Sequence, residues 1–162
     1  MRAVLSPCGL FRYRLDRDVQ ASGLVIVYCG VNGSTATGDE EDQTTMKWRG
    51  FTLRNGGSRY IAINPFGFRA TDVRQLASAA DPVGPLNDFY VDQALAEADL
   101  IVPCWGNRSK VPERLRHHFN AMLRRMQATG KPMKTFGLTK SGDPKHPLML
   151  SYDTPLIDWA QP

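Results

Sequence analysis

Gly23-Leu24-Val25-Ile26-Val27-Tyr28-Cys29 runs without a charged residue and then breaks into Gly30-Val31-Asn32-Gly33-Ser34-Thr35. A continuous β-favouring run of this kind is buried on both faces, as in a sheet covered by helices. The glycine-punctuated segment after it is a turn. This strand-to-turn stretch decides the fold class, and the rest of the chain is read outward from it.

Upstream, Arg12 to Asp18 alternates charged and apolar residues and predicts an N-terminal strand or edge hairpin. Downstream, the acidic run Asp39-Glu40-Glu41-Asp42 leads into a helix over Thr44 to Leu53, where acidic residues complement the helix dipole. Asn55-Gly56-Gly57-Ser58 turns the chain into a second strand, Arg59 to Ile63, which stops at Asn64-Pro65-Phe66-Gly67. A loop containing Asp81-Pro82-Val83-Gly84-Pro85 precedes a helix over Asn87 to Ala98, with Asn87 as its expected cap. The third strand, Leu100 to Cys104, ends in Trp105-Gly106-Asn107. The next helix has Pro112 near its first turn and Gly130 past its end. Leu115, Phe119, Met122, Leu123 and Met126 make its apolar face, which reads as core packing, while Arg114, His117, Arg124 and Arg125 fall mainly on other faces. A last strand over Met133 to Leu138 leads into the polar run Thr139 to His146.

Alternating strands and helices predict an α/β fold: a three-layer αβα sandwich around a central, mostly parallel sheet, formed as one domain over residues 1–162. In such folds ligands sit beyond the carboxyl ends of the strands. The residues placed there are Asn32, Ser34, Thr35, Asn64, Phe66, Trp105 and Asn107, with Thr139, Lys140 and His146 in the last loop. Several have a plain alternative. Asn bonds readily to nearby backbone and caps turns, Trp105 suits packing, and His146 before Pro147 suits a structural loop. Arg69 with Thr71-Asp72 reads either as an internal ion pair or as an anion contact.

Composition narrows the classes. No apolar run approaches the roughly 18 residues needed to span a bilayer, and Met1 to Leu10 lacks a signal pattern, so a cytoplasmic location without membrane attachment is expected. Cys8, Cys29 and Cys104 show no C-x-x-C spacing, which argues against disulfides and zinc, and no metal or cofactor is expected. Net charge is +4, with ten Lys/Arg against four Asp/Glu after residue 100, a bias that attracts phosphates without marking a nucleic-acid binder.

Several motifs together carry a resemblance. They are Asn32-Gly33-Ser34-Thr35-Ala36, Asp42-x-Thr44, Asn64-Pro65-Phe66, Arg69-Ala70-Thr71-Asp72, Asp81-Pro82-x-Gly84, Asn87-Asp88, Trp105-Gly106 and Thr139-Lys140-x-Gly142-x-Pro144-x-His146-Pro147-Leu148. Over nearly the whole chain they resemble the domain-of-unknown-function 1643 family, small bacterial and phage proteins without an assigned activity.

A more distant similarity is to the uracil-DNA glycosylase superfamily. Gly30-Val31-Asn32 resembles a Gly-Ile-Asn motif there, and Ile61-Ala62-Ile63-Asn64 a strand ending in a base-reading asparagine. Ile101 to Gly106 is similar to an apolar strand ending in Trp-Gly, and His146-Pro147-Leu148-Met149-Leu150-Ser151 to a late His-Pro-x-x-Leu-Ser loop.

That resemblance implies roles. Asn32 would position a water for attack on the sugar carbon, and Asn64 would pair with the edge of a base. His146 would donate to a base oxygen as charge develops there. Trp48 or Phe51 would stack on the base, and Lys140, Lys145 and Arg108 would hold flanking phosphates. Gly33 replaces a common proline, Leu148 and Met149 replace a small residue and proline, and no carboxylate stands at the water-activating position. The expected function is therefore recognition of a nucleobase or nucleotide, with excision of a modified or damaged base in DNA as the enzymatic form. The alternative is a non-catalytic protein that sequesters a small free nucleotide, such as a signalling nucleotide or an ADP-ribose derivative.

Overall fold

A computed structural model describes residues 2–34 and 41–159. Asp39 and Glu40 of the acidic run, and Thr35 among the expected site residues, lie outside the described residues.

The apolar run forms β3 (Leu24–Cys29) at the heart of a mixed, centrally parallel sheet. On one side it pairs in parallel with β4 (Gly57–Ile63), and on the other with β5 (Leu100–Pro103). Alternation along these strands sends side chains to opposite faces. Ile26, Tyr28, Tyr60, Ala62, Leu100 and Val102 pack with Trp48 and Phe51 of α1 (Gln43–Arg54). Val27, Cys29, Ile61, Ile63 and Ile101 pack with α2 (Asn87–Glu97) and α3 (His117–Gln127). Helices therefore cover both faces, which is why β3 has no polar side.

Beyond β4 the sheet turns antiparallel. Arg12 to Asp18 forms β2, the inner strand of a hairpin with β1 (Arg2–Leu5), and β1 takes the edge. The charged residues of β2 before Asp18 are buried, not solvated as a hairpin at the edge would have them. Arg14 and Asp16 are buried, and with Arg59 of β4 and Glu97 of α2 they close a ring of ion pairs. Arg14 makes paired bonds to Asp16 (2.7 and 2.8 Å) and to Glu97 (2.8 and 3.0 Å). Arg59 bridges Glu97 at 2.6 Å and Asp16 at 3.3 Å. Planar guanidinium groups match carboxylates two bonds at a time, so every charge in the ring has a geometric partner.

Three boundaries differ from the sequence reading. Asn87 does not cap α2. It is buried as the first helical residue, and its amide donates to Asn64 O (2.9 Å) and Pro65 O (3.3 Å), which ties the helix to the end of β4. Pro112 precedes a short 3-10 turn, Glu113–Leu115, and α3 starts only at His117, while Gly130 follows its end with φ +68° as a helix terminator should. The predicted strand from Met133 to Leu138 shrinks to β6 (Lys134–Thr135), paired with β7 (Ile157–Asp158), and Met133 touches β5 through one parallel bridge to Ile101. Gly137, at φ +109°, takes the backbone out of the extended region and ends the strand.

Candidate functional site

The carboxyl ends of β3, β4 and β5 open into a cavity of about 360 Å³, within the roughly 300–1,000 Å³ of small-molecule sites. The turn after β3 supplies Gly30, Asn32 and Ser34; the end of β4 supplies Asn64; the residues after β5 supply Trp105. The last loop adds His146 and Leu148, and the start of α1 adds Asp42, Thr44 and Trp48. Arg12 enters from the start of β2 and Lys110 from the segment after β5.

Asn64 sets the character of the cavity. It is 2% exposed, and its side-chain amide makes no hydrogen bond to any described residue. The amide lies on the cavity wall, so its donor pair and acceptor are open to whatever enters the cavity. Gly30 makes room for it, since a Cβ there would lie 2.9 Å from Asn64 Oδ1 and 3.4 Å from the Trp48 ring. Trp48 in turn is held by stacking on Tyr28, ring centroids 5.7 Å apart.

His146 offers a fixed donor. Its Nδ1 accepts from Leu148 N–H at 3.2 Å, which leaves the proton on Nε2. Burial pushes its pKa down to about 4, and the charge of Lys110 pushes the same way while Asp42 opposes. The imidazole is thus neutral near pH 7, a hydrogen-bond donor without a charge.

Asp42 brings a carboxylate that the motif reading did not place in the site. As N-cap of α1 it accepts from Thr45 N–H at 2.8 Å, and its other oxygen accepts from Ser34 Oγ at 2.7 Å. Burial alone would raise its pKa, but these bonds and Arg12 outweigh it, and the net shift is downward. Asn32 spends its amide hydrogens on Ala70 O (2.8 Å), Gly33 O (2.7 Å) and Phe68 O (3.4 Å). Only its Oδ1 is left to hold a water or ligand donor. Arg12 is 3% exposed.

The expected site residues separate. Asn32, Ser34, Asn64, Trp105 and His146 come together on the cavity. Arg69 faces a smaller adjoining chamber of about 170 Å³, bonded to Ser34 O (3.1 Å) and Gly9 O (3.3 Å); the ion pair considered for it goes instead from Asp72 to Arg74. Phe66 lies elsewhere, fully buried edge-on to Phe119 and His118, because it follows the buried end of β4 into the core. Asn107, Thr139 and Lys140 are not on the cavity either. Asn107 and Thr139 are joined through Ser141, at 3.0 and 3.1 Å, and Lys140 is exposed.

Of the expected stacking residues Trp48 lines the cavity, whereas Phe51 packs in the core against Phe136. Of the expected phosphate holders, Arg108 is taken by Asp143 (2.7 Å) and Asn120 (2.9 Å), and Lys145 is exposed away from the cavity lining. Arg12, Asp42, Thr44 and Lys110 were missed. Asp42 and Thr44 carried a signal, the Asp42-x-Thr44 motif at the start of α1; Arg12 and Lys110 carried none. Among the described residues no group of three or more His, Cys, Asp or Glu side chains is placed to hold a metal ion. No helix there is long and apolar enough to cross a membrane.

The chain matches, over residues 12–148, the family model described as "Protein of unknown function (DUF1643)". No curated protein and no solved structure matches it.

Proposed function

The chain belongs to the DUF1643 family of proteins of unknown function, and from its cavity we propose that it recognises a nucleobase. The observation that carries this reading is the side-chain amide of Asn64, which opens on the cavity and makes no hydrogen bond to a described residue. An amide presents an acceptor and a donor side by side, the complement of a base's hydrogen-bonding edge. His146 adds a neutral N–H donor suited to a base carbonyl, and Trp48 an apolar aromatic wall. The reading also draws on the resemblance of Gly30-Val31-Asn32 and Ile61-Ala62-Ile63-Asn64 to motifs of the uracil-DNA glycosylase superfamily.

Binding without cleavage is the primary form of the proposal. Asp42 could orient a water, but its two oxygens already accept from Thr45 and Ser34, and its depressed pKa makes it a weak base. The second form, hydrolysis of an N-glycosidic bond in DNA, rests on the presence of that carboxylate and of Asn32 Oδ1 in the same cavity.

Native mass spectrometry of the protein purified from cells, followed by thermal melts with nucleobases, nucleosides and nucleotides, tests the proposal. At least one base-bearing compound is expected to be retained or to stabilise the fold, and Asn64→Ala is expected to weaken it at least tenfold, as loss of a buried hydrogen-bond pair should. Stabilisation by no base-bearing compound, together with no excision from uracil-containing or alkylated duplex DNA, would remove both forms.

A further inference from the structure

Gly50 stands inside α1, where glycine is a poorer helix former than alanine because its bare backbone has more freedom to lose. Its backbone conformation is an ordinary one, so φ does not call for it. Space does. A Cβ on Gly50 would run into the Tyr152 ring, 2.7 Å from Cζ and 2.8 Å from the hydroxyl oxygen. The ring therefore lies on bare helix backbone. Lys47 Nζ is 4.4 Å and Arg54 Cζ 4.2 Å from its centroid, both within cation–π range. Lys47, Gly50 and Arg54 follow one another at intervals of three and four residues and so share one face of α1. Phe51 adds a tilted ring contact at 5.2 Å, and the Tyr152 hydroxyl donates to Met46 O at 3.5 Å.

This seat lies a few residues beyond the last cavity loop. Lys47 Nζ also donates to Leu150 O at 2.6 Å, and Leu150 N–H donates to Pro147 O at 3.0 Å, closing the short 3-10 turn Pro147–Met149. Within that turn Leu148 N–H donates to His146 Nδ1, the bond that keeps the imidazole proton on Nε2. His146 and Leu148 line the cavity, as do Asp42, Thr44 and Trp48 at the start and middle of α1. A continuous run of contacts thus leads from the seat on Gly50 through Leu150 and the turn to the imidazole. It joins the last loop to the helix that supplies another wall of the same cavity.

Resting on the reading of that cavity as a nucleobase site, we infer that Tyr152 is a positioning residue for base recognition: its ring, seated on Gly50 with Lys47 and Arg54, fixes the last loop against α1 and so the place where the His146 Nε2–H meets the ligand. Tyr152 is not itself part of the cavity lining.

The test pairs NMR titration of the His146 ring with calorimetry against uridine, thymidine, cytidine, adenosine and guanosine. The proteins are the wild type, Tyr152→Leu, Tyr152→Phe and Gly50→Ala. In the wild type the ring is expected to stay neutral down to about pH 4, since burial and Lys110 lower its pKa while Asp42 opposes. Tyr152→Leu and Gly50→Ala release the loop and admit water, so the midpoint is expected to rise toward the ordinary value of about 6.5. Any nucleoside that the wild type holds is expected to bind these two variants at least about tenfold more weakly, the scale of one lost hydrogen bond to the ligand. Tyr152→Phe keeps the ring contacts and loses one long hydrogen bond, so it is expected to keep the wild-type midpoint and an affinity within about fivefold.

A tyrosine that only packs would lower the melting temperature of its variants and, below the melt, leave midpoint and affinity alone; that outcome overturns the proposal. Loss of affinity with an unmoved midpoint overturns it too, because the effect then bypasses His146, and so does a moved midpoint with unchanged affinity. Tyr152→Phe behaving as Tyr152→Leu overturns it as well, since the hydroxyl and not the seated ring then holds the loop. A wild type that binds none of the nucleosides removes the nucleobase reading, and the midpoint still decides the rest. Moved in Tyr152→Leu and Gly50→Ala but not in Tyr152→Phe, it leaves the positioning of His146 by Tyr152 standing; unmoved, it removes that as well. Should Tyr152→Leu fail to fold, Gly50→Ala decides, because alanine is the better helix former and preserves α1.

Discussion

Gly30 and Asn64 act as a pair at the residue scale. Gly30 has an ordinary backbone conformation, so its lack of a side chain matters for space and not for φ. Gly30→Ala puts a methyl 2.9 Å from Asn64 Oδ1 and displaces the amide from the position that the cavity presents. The expected result is at least a tenfold loss of base affinity, read by calorimetry, while the melting temperature moves by only a few degrees because the contact is with a side chain and not with the sheet. A collapse of the fold would instead place Gly30 among the packing residues. Both Asn32 and Asn64 were legible in the sequence as polar residues at strand ends. Which of them keeps a free amide was not, because that depends on the carbonyls of Phe68, Gly33 and Ala70 reaching Asn32 and on none reaching the Asn64 side chain.

At the scale of elements, the start of α1 has two duties that one substitution separates. Asp42 caps the helix and places a carboxylate in the cavity. Asn is as good an N-cap as Asp. Asp42→Asn is therefore expected to keep stability within about 1 kcal/mol in a urea melt, whereas Asp42→Ala loses on the order of 1 kcal/mol from the cap. If the protein cleaves a glycosidic bond, Asp42→Asn is expected to abolish that activity, and an unchanged rate would remove Asp42 from the chemistry.

The ring joining β2, β4 and α2 gives a pH prediction. The Arg14 hydrogen bond leads the effects on Glu97, burial opposes it, and Arg59 adds to it, holding the Glu97 pKa down to about 2. A carboxylate whose folded pKa lies below its unfolded value, about 4.3, contributes stability above that value and loses it as pH falls toward 2. Acid melts between pH 5 and pH 2 should therefore show a steeper loss in the wild type than in Glu97→Gln, and equal slopes would mean that the ring does not form in solution. The sequence showed β2 as an alternation of charges, yet burial of those charges arises from the neighbours that β4 and α2 bring, which lie more than forty residues away.

Over the whole molecule, the cavity exists only when segments from Arg12 to Leu148 have converged. A ligand that fills it binds the folded chain alone, and at a hundredfold excess over Kd that is worth about 2.7 kcal/mol. For a chain of this size the melting temperature should rise by several degrees. Hydrogen exchange should slow together in the turn after β3, the start of α1 and the last loop, because each contributes a wall. Protection confined to one of these segments would mean that the ligand sits outside the cavity.

Local pattern carried much of the answer. The apolar run of β3 declared a doubly covered strand, and the alternation of strands and helices declared a largely parallel centre, since both follow from periodicity and burial along the chain itself. The strand-end rule then placed Asn32, Ser34, Asn64, Trp105 and His146 near one another from sequence alone. Tertiary structure decided the rest. It sent Phe66 into the core and Asn107, Thr139 and Lys140 away from the cavity, and it brought in Arg12, Asp42 and Lys110. The reason is physical: a strand's period fixes which face a side chain takes, but charge and hydrogen-bond partners come from segments that are distant in sequence, and those partners determine which polar groups remain free to meet a ligand.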